Sequence, residues 1–381
     1  MTISEATTAD LQGWDRHTVD IAGGNVYQSR AWAEQRARVG WRPRYLVFGD
    51  GYRLLSLERP WRLVGGSSAY LSRGPVSAGE PVQATAARLA EAADWLIARG
   101  VDVIATDAEI EASSGYGALI EERGFRPIEE IQPSRHRMAL ALGPGGGRDE
   151  GDETAYFRAF GESTRQLIRQ CEKAGARIVR WDTRLPADGM GDGFEAPPAA
   201  RRSGDGAATA QMAAAIDRFY DLMVATAARR HFALRGRRSF VDWSLAGIAA
   251  GHTVYLEALT RDGELIGGAT FYRHGGRLTY SHSADRADVR RTYPGVPRLL
   301  LWRAIQIAIR EGMNEFDMAG VDVRGARREP VEGEEMFGLY TFKRSFGATW
   351  IELTGNHELV ARPWRYALGR VTARLPGGAA G

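Results

Sequence analysis

The feature that most constrains this chain is an arrangement that occurs twice. In the first half, Arg88 to Gly100 (RLAEAADWLIARG) has helical apolar spacing and stops at a glycine. Val101 to Asp107 (VDVIATD) then reads as a buried strand, and Gly115 to Phe125 (GYGALIEERGF) as a second helix. In the second half, Pro297 to Gly312 (PRLLLWRAIQIAIREG) starts at a proline and ends at a glycine. It leads into a strand within Met313 to Gly320 and a helix from about Met336 to Phe346. Two copies exclude a fixed-period solenoid. They predict a duplicated α/β domain.

Each copy follows strands that turn back on themselves. Arg44 to Trp61 turns at Asp50-Gly51, and Thr253 to Ser283 turns at Asp262-Gly263 and again at Gly275-Gly276, predicting a three-stranded meander. A mixed sheet, antiparallel first and then crossing over through a helix, is the layout of the acetyltransferase-like (GNAT) fold. The predicted class is therefore α/β (α+β), with two tandem acetyltransferase-like domains. The chain's 381 residues suit two cores better than one. Gly143 to Asp152 (GPGGGRDEGD) reads as the linker, giving domains over 1–143 and 152–347. Residues 185–206, rich in Gly, Pro and charge, read as a mobile insertion in the second domain.

Composition narrows the function. With 44% hydrophobic and 25% charged residues the chain is globular, and no apolar run approaches the roughly 20 residues of a membrane span. The polar N-terminus lacks a signal-peptide pattern, and the single cysteine, Cys171, permits neither an internal disulfide nor a cysteine-based zinc site. The seven histidines show no metal-ligand spacing, so no metal is expected. A cytoplasmic location is expected. A net charge of +3 is too balanced to mark a nucleic-acid binder. Of 50 lysine and arginine residues, however, only Lys173 and Lys343 are lysine. A lysine kept in so arginine-rich a chain suits a place that needs a compact ammonium.

An acetyltransferase holds the pyrophosphate of coenzyme A in a Q/R-x-x-G-x-G/A turn of free backbone N–H groups. The corresponding stretch, Arg286 to Pro297, has one glycine and two prolines, and Ser72 to Val82 fails the pattern as well. A different acyl donor is expected. Met336 to Trp350 (MFGLYTFKRSFGATW) resembles the Fem family of aminoacyl-tRNA-dependent transferases, in which G-L-x-x-F-K-x-x-F-G recurs. The matching residues are Gly338, Leu339, Phe342, Lys343, Phe346 and Gly347. Gln28 to Trp41, Tyr70 to Val76, Ile131 to Leu140, Ser163 to Val179 and Leu299 to Gly320 agree in order, so the resemblance covers nearly the whole chain outside the insertion.

The resemblance implies transfer of an aminoacyl group from tRNA to an amine of a peptidoglycan precursor. It implies no cofactor, with aminoacyl-tRNA as co-substrate. The chain's end is expected to return to the first domain, with 348–375 packing there. Lys343 is the expected oxyanion stabiliser, a role its charge can fill, and the Phe342 carbonyl is expected to orient the attacking amine. Arg36, four residues after Trp32, and Arg235 are expected to meet the precursor's diphosphate, with Tyr293 a further substrate contact. Arg229, Arg230 and Arg237 compete with Arg235.

Other signals are weaker. Asp317 and Asp322 follow the second-half strand and are candidate proton acceptors. Ser281-His282-Ser283 suggests a nucleophile, but strand alternation would turn His282 away from both serines. Arg324, Arg327, Arg328 and Arg344 beside Lys343, and Arg362, Arg365, Arg370 and Arg374 near the C-terminus, suit a charged tRNA or an anionic membrane surface. The precursor is UDP-linked or lipid-linked, and the second form would bring peripheral contact with the inner face of the membrane. Two other readings stay open: an aminoacyl-tRNA-dependent transferase acting on a small natural-product amine or peptide, and a coenzyme A-dependent N-acyltransferase.

Overall fold

Among the described residues, fourteen strands form two seven-stranded sheets in the computed structural model. The structure describes residues 2–61, 63, 65–132, 135–143, 151–184, 192–197, 205–230, 233–234, 236–321 and 328–373. The first sheet runs β1 (Ile3–Glu5), β2 (Arg42–Phe48), β3 (Arg53–Pro60), β4 (Ser67–Leu71), β5 (Val101–Thr106), then β14 (His357–Val360) and β6 (Arg126–Pro127). The second runs β13 (Thr349–Glu352), β7 (His136–Ala141), β12 (Glu315–Asp317), β11 (Arg277–Asp285), β10 (Leu265–His274), β9 (Thr253–Leu259) and β8 (Arg177–Trp181).

The repeat is real in three dimensions. β4 and β5 are parallel and joined by the Val82–Ile97 helix; β11 and β12 are parallel and joined by the Val296–Arg310 helix. Val296–Arg310 is apolar on nearly every side because it lies between its sheet and the Glu162–Lys173 helix, burying residues from Leu299 to Ile309. The Asp50-Gly51 turn forms as expected, with Gly51 at φ +89° and Asp50 accepting from the Tyr52 N–H at 3.2 Å. All three strands of the Thr253–Ser283 meander are present.

The expected boundary at 143 does not follow the sheets. His136–Ala141 pairs with β12 and β13 in the second sheet, whereas His357–Val360 inserts between β5 and β6 of the first. The physical reason is edge satisfaction: each strand supplies hydrogen-bond partners that the other unit's sheet lacks. Of the 348–375 segment, Thr349–Glu352 lies in the second sheet, while His357–Val360 and the Pro363–Ala373 helix lie on the first unit. The insertion needs correction too. Glu195 bonds to Ile178 and Arg180 of β8 through its backbone, Arg177 Nε donates to its carboxylate at 2.7 Å, and Phe194 packs on the core. A helix begins at Asp205, and 185–191 and 198–204 lie outside the described residues.

The units dock through the Gly275-Gly276 turn. Gly275 N–H donates to Val19 O at 2.9 Å, and a Cβ on Gly275 would stand 2.7 Å from Gly24 O, closer than a side chain tolerates. Among the described residues no helix is long and apolar enough to cross a membrane.

Candidate active site

β12 closes in a turn shaped around one ammonium ion. Asp317 Oδ1 accepts from Ala319 N–H at 2.7 Å, holding Ala319 at φ +58°, a left-handed conformation uncommon for a residue with a Cβ. The kink turns the Ala319 and Gly320 carbonyls toward the Phe337–Arg344 helix, where Lys343 Nζ donates to them at 3.0 and 2.6 Å. An ammonium carries three N–H groups, so one remains beyond these two bonds. Lys343 is 2% exposed. Burial brings its pKa down to about 8, and the Asp317 carboxylate opposes that shift.

Asp317, Ala319 and Gly320 line a cavity of about 470 Å³ between the two units. Its polar wall is connected. His274 Nδ1 lies 2.9 Å from Gly24 O, which can only accept, so Nδ1 carries the hydrogen. Burial, reinforced by the Arg277 charge, holds the His274 pKa at about 3, which keeps the ring neutral and Nε2 an acceptor. The Thr279 hydroxyl, 3.1 Å away, donates to it. The same hydroxyl also faces the Asp317 carboxyl, with Oδ2 as a second, more distant acceptor at 3.4 Å. Burial raises the Asp317 pKa, against Arg277 and Arg137. Asp317 is thus a buried carboxyl of raised pKa at the cavity wall.

Charges across the interface fix the floor. Burial would push the Glu109 carboxyl up, but Arg277 and Arg73 outweigh it and hold the pKa at about 2. Glu109 pairs with Arg277 of the second unit and accepts from Asn25 Nδ2 at 2.8 Å. Arg137 bonds to Glu315 and reaches Glu111 of the first unit at 3.6 Å.

The other sequence-predicted residues are spread over neighbouring places. Phe342 packs beside Phe346, and its carbonyl accepts from Ser345 Oγ at 2.6 Å. Arg36 lies in a second cavity of about 480 Å³ in the first unit, its guanidinium 5.4 and 5.5 Å from the Trp32 and Trp41 rings. Gln132 lines both cavities, so they adjoin. Arg235 lies outside the described residues, although Ala233 and Leu234 before it line the interdomain cavity. Tyr293 is half-buried against the second core and does not line either cavity. Asp322, Arg324 and Arg327 also lie outside the described residues. Arg237 is tied to Asp217 and Asp221. A larger cavity of about 820 Å³ lies at the β8 edge, away from Lys343.

Strand alternation misled the reading of Ser281 and His282. Thr270 pairs with His282 and Phe271 with Tyr280, so Ser281 is an extra residue in a β-bulge. The bulge brings Ser281 Oγ within 2.7 Å of His282 Nδ1, and both line the interdomain cavity. Sequence reasoning also missed Arg298, in the first turn of the Val296–Arg310 helix. Its guanidinium stands 5.0 Å over the Phe342 ring and donates to Thr164 Oγ1 at 3.3 Å. Burial lowers its pKa, and among the described residues no carboxylate pairs with it. Its position directly after Pro297 was the available signal.

The turn before that helix does not fit a coenzyme A pyrophosphate. Pro294 and Pro297 carry no N–H, and those of Arg298 and Leu299 already donate to Gly295 O at 2.9 and 3.0 Å. Leu167 presses on the same place, 2.8 Å from where a Cβ on Gly295 would sit. Among the described residues no cluster of His, Cys, Asp and Glu is placed to hold a metal.

Residues 199–344 match the family model described as an acetyltransferase (GNAT) domain. No curated protein matches the sequence. Among solved structures the chain is similar to FemX, at 17% identity over 97% of this chain and 99% of that one, with a TM-score of 0.75. It is also similar to a conserved protein of unknown function from Bacteroides thetaiotaomicron (11% identity, 94% and 98% covered, TM-score 0.52). L-PGS from Bacillus licheniformis aligns at 11% identity over 98% of each chain, with a TM-score of 0.50. The chain therefore has a Fem-like tandem acetyltransferase fold, two α/β units with mixed sheets.

Proposed function

We propose that the protein is an aminoacyltransferase that moves an aminoacyl group from tRNA to an amine of a peptidoglycan precursor. The observation that carries this is Lys343: a buried ammonium, one donor left over, that lies behind the cavity wall and bonds the carbonyls of Ala319 and Gly320, which line the interdomain cavity. The FemX likeness in fold and a turn unsuited to coenzyme A support the tRNA donor over a thioester.

The chemistry follows from the geometry. The acceptor amine attacks the ester carbonyl, and the remaining Lys343 N–H bonds the oxyanion, contributing about 3–4 kcal/mol by analogy with other oxyanion donors. The tetrahedral intermediate collapses by breaking the C–O bond to the tRNA ribose. The Asp317 carboxylate takes the proton shed by the attacking nitrogen and passes it to that leaving oxygen. No net proton is gained or lost. Arg298, a cation beside Phe342 with no carboxylate partner among the described residues, suits a phosphate of the tRNA acceptor end. Arg36 suits the diphosphate of the acceptor. Phe342 and Tyr293 remain candidates by resemblance, the first with its carbonyl occupied by Ser345.

The test is transfer of radiolabelled amino acids from a charged tRNA pool to a UDP-linked muropeptide. Label that appears in the muropeptide, and is lost when the tRNA is deacylated beforehand, supports the proposal. Label only in small natural-product amines would move the acceptor class. Activity with coenzyme A thioesters and none with tRNA would overturn the donor.

A further inference from the structure

The Pro363–Ala373 helix exposes an apolar stripe that the interior does not use. Trp364, Leu368 and Val371 are 59%, 46% and 61% exposed, at spacings of four and three that place them on one side of the helix. The opposite side is anchored. Arg362 Nη1 donates to Val101 O at 3.0 Å and to Asp102 at 3.1 Å, and Trp61 Nε1 donates to Asp102 at 3.0 Å. Gly369 lies so close to Trp61 that a Cβ there would meet the indole at 2.5 Å, and Tyr366 stands 6.4 Å from the same ring. The helix is fixed, and its outer face is free of the fold.

Leu63, two residues after the Trp61 on which the helix packs, is itself 74% exposed. Arg365 stands 5.0 Å from the Trp364 ring and is paired inward with Asp102 at 3.7 Å, while Arg370, over the Tyr366 ring on the other side, is exposed. From Ala361 to Gly381 the sequence has four arginines and no acid. An apolar stripe containing Trp, edged by arginines, matches the lipid interface of an anionic bilayer, where rings and aliphatic chains enter the headgroup boundary and guanidinium groups meet phosphates. A second copy of the chain fits less well. A two-fold contact would set arginines against their own copies, and four side chains fall short of the ~800 Å² per partner of an ordinary interface.

We propose that this face docks the protein on an anionic membrane surface, which favours a lipid-linked acceptor over a soluble one. The docking stands on the exposed face alone; the acceptor's form rests on the transferase reading above. On its inner side the same helix supplies Tyr366 to the cavity that holds Arg36. The cavity walls, Trp32, Trp41, Trp61 and Ile131, are mostly apolar, and Ile131 is 45% exposed. Docking through the outer stripe brings the diphosphate candidate and an apolar wall near the headgroups together.

The test is co-sedimentation of the full chain with vesicles of phosphatidylcholine alone or with phosphatidylglycerol. The wild type is expected to pellet with the anionic vesicles and to be released by salt. The Trp364→Ser, Leu368→Ser, Val371→Ser variant is expected to lose at least about tenfold in binding, as the burial of one large and two smaller apolar side chains implies. Arg370→Glu is expected to weaken binding and flatten its salt dependence. Wild type that stays in the supernatant, or a triple variant that pellets as well as wild type, overturns the proposal. So does a dimer in light scattering that the triple variant breaks. Transfer assays separate the two readings. The triple variant should keep transfer to a soluble precursor and lose it to a vesicle-borne one. Vesicle binding with no transfer to any acceptor would remove the transferase reading and leave the docking surface. Equal transfer by both proteins to a vesicle-borne acceptor overturns the lipid-linked assignment.

Discussion

Each unit places an aspartate at the end of its second parallel strand, and the two are used differently. In the first, Asp107 accepts from Arg73 N–H at 2.6 Å and Tyr70 OH at 2.7 Å, with Arg73 Nε at 3.4 Å. Its charge is spent on holding a largely buried guanidinium. In the second, Asp317 meets a backbone N–H and a threonine hydroxyl, with Arg277 and Arg137 acting on it through charge alone and Lys343 close by, whose own bonds go to two carbonyls. The first acid closes a structural ion pair. The second, its pKa raised by burial, stands beside an ammonium that has a donor to spare. A duplicated frame can thus hold one copy rigid and leave the other free for chemistry.

The sharpest way to break that contrast is Lys343→Met. Transfer should fall by about 10²–10³-fold, as for loss of an oxyanion-hole donor. Stability should move little, because two effects oppose. Below about pH 8 Lys343 is charged in both folded and unfolded states, and its burial costs the fold about 3 kcal/mol, from a shift of 10.5 to about 8. Between about pH 8 and 10.5 the unfolded state binds more protons, so that cost fades as pH rises. Methionine removes the cost and leaves the Gly320 carbonyl without its donor, a loss of about 1–3 kcal/mol. Denaturant titration of both proteins at pH 7 and 10 checks the sign.

Asp107→Asn and Asp317→Asn form the matched pair. The first should destabilise by about 3 kcal/mol, the low end for breaking a buried pair, because Glu109 still lies 3.9 Å from Arg73. The second keeps both contacts, since an amide can accept from Ala319 and, with the Thr279 hydrogen on His274, donate to the Thr279 oxygen. It should leave stability within about 1 kcal/mol while lowering transfer about 10²-fold. Urea midpoints and single-turnover rates read the two effects apart. A smaller effect sharpens the division of labour. Arg36→Met should raise KM for the acceptor and Arg298→Met that for charged tRNA, each about tenfold with kcat unchanged. Exchanged phenotypes would reverse the assignment of the units.

The repeat, the hairpins and the Phe342-Lys343 segment were legible because they are local: periodicity, turn residues and a short motif. What escaped depends on contacts distant in sequence. His136–Ala141 reads as an ordinary strand, and nothing in its residues tells which sheet it will join. The bulge at Ser281 adds one residue to a strand without altering its apolar pattern, so alternation gave the wrong faces. The Asp317–Thr279–His274 chain needed the β11–β12 register and the approach of Gly24 from the other unit. Arg298 looked like any helix arginine in a chain with 50 lysines and arginines, until its lack of a carboxylate became visible.

The pH profile of single-turnover transfer tests most directly the claim that a charged Lys343 stabilises the oxyanion. The rate should rise as the acceptor amine loses its proton, then fall as pH passes about 8 and Lys343 is discharged. In Asp317→Asn the falling limb should move to lower pH, because the carboxylate that raises the Lys343 pKa is gone. A rate that stays level to pH 10, or a limb that Asp317→Asn leaves in place, would contradict the account.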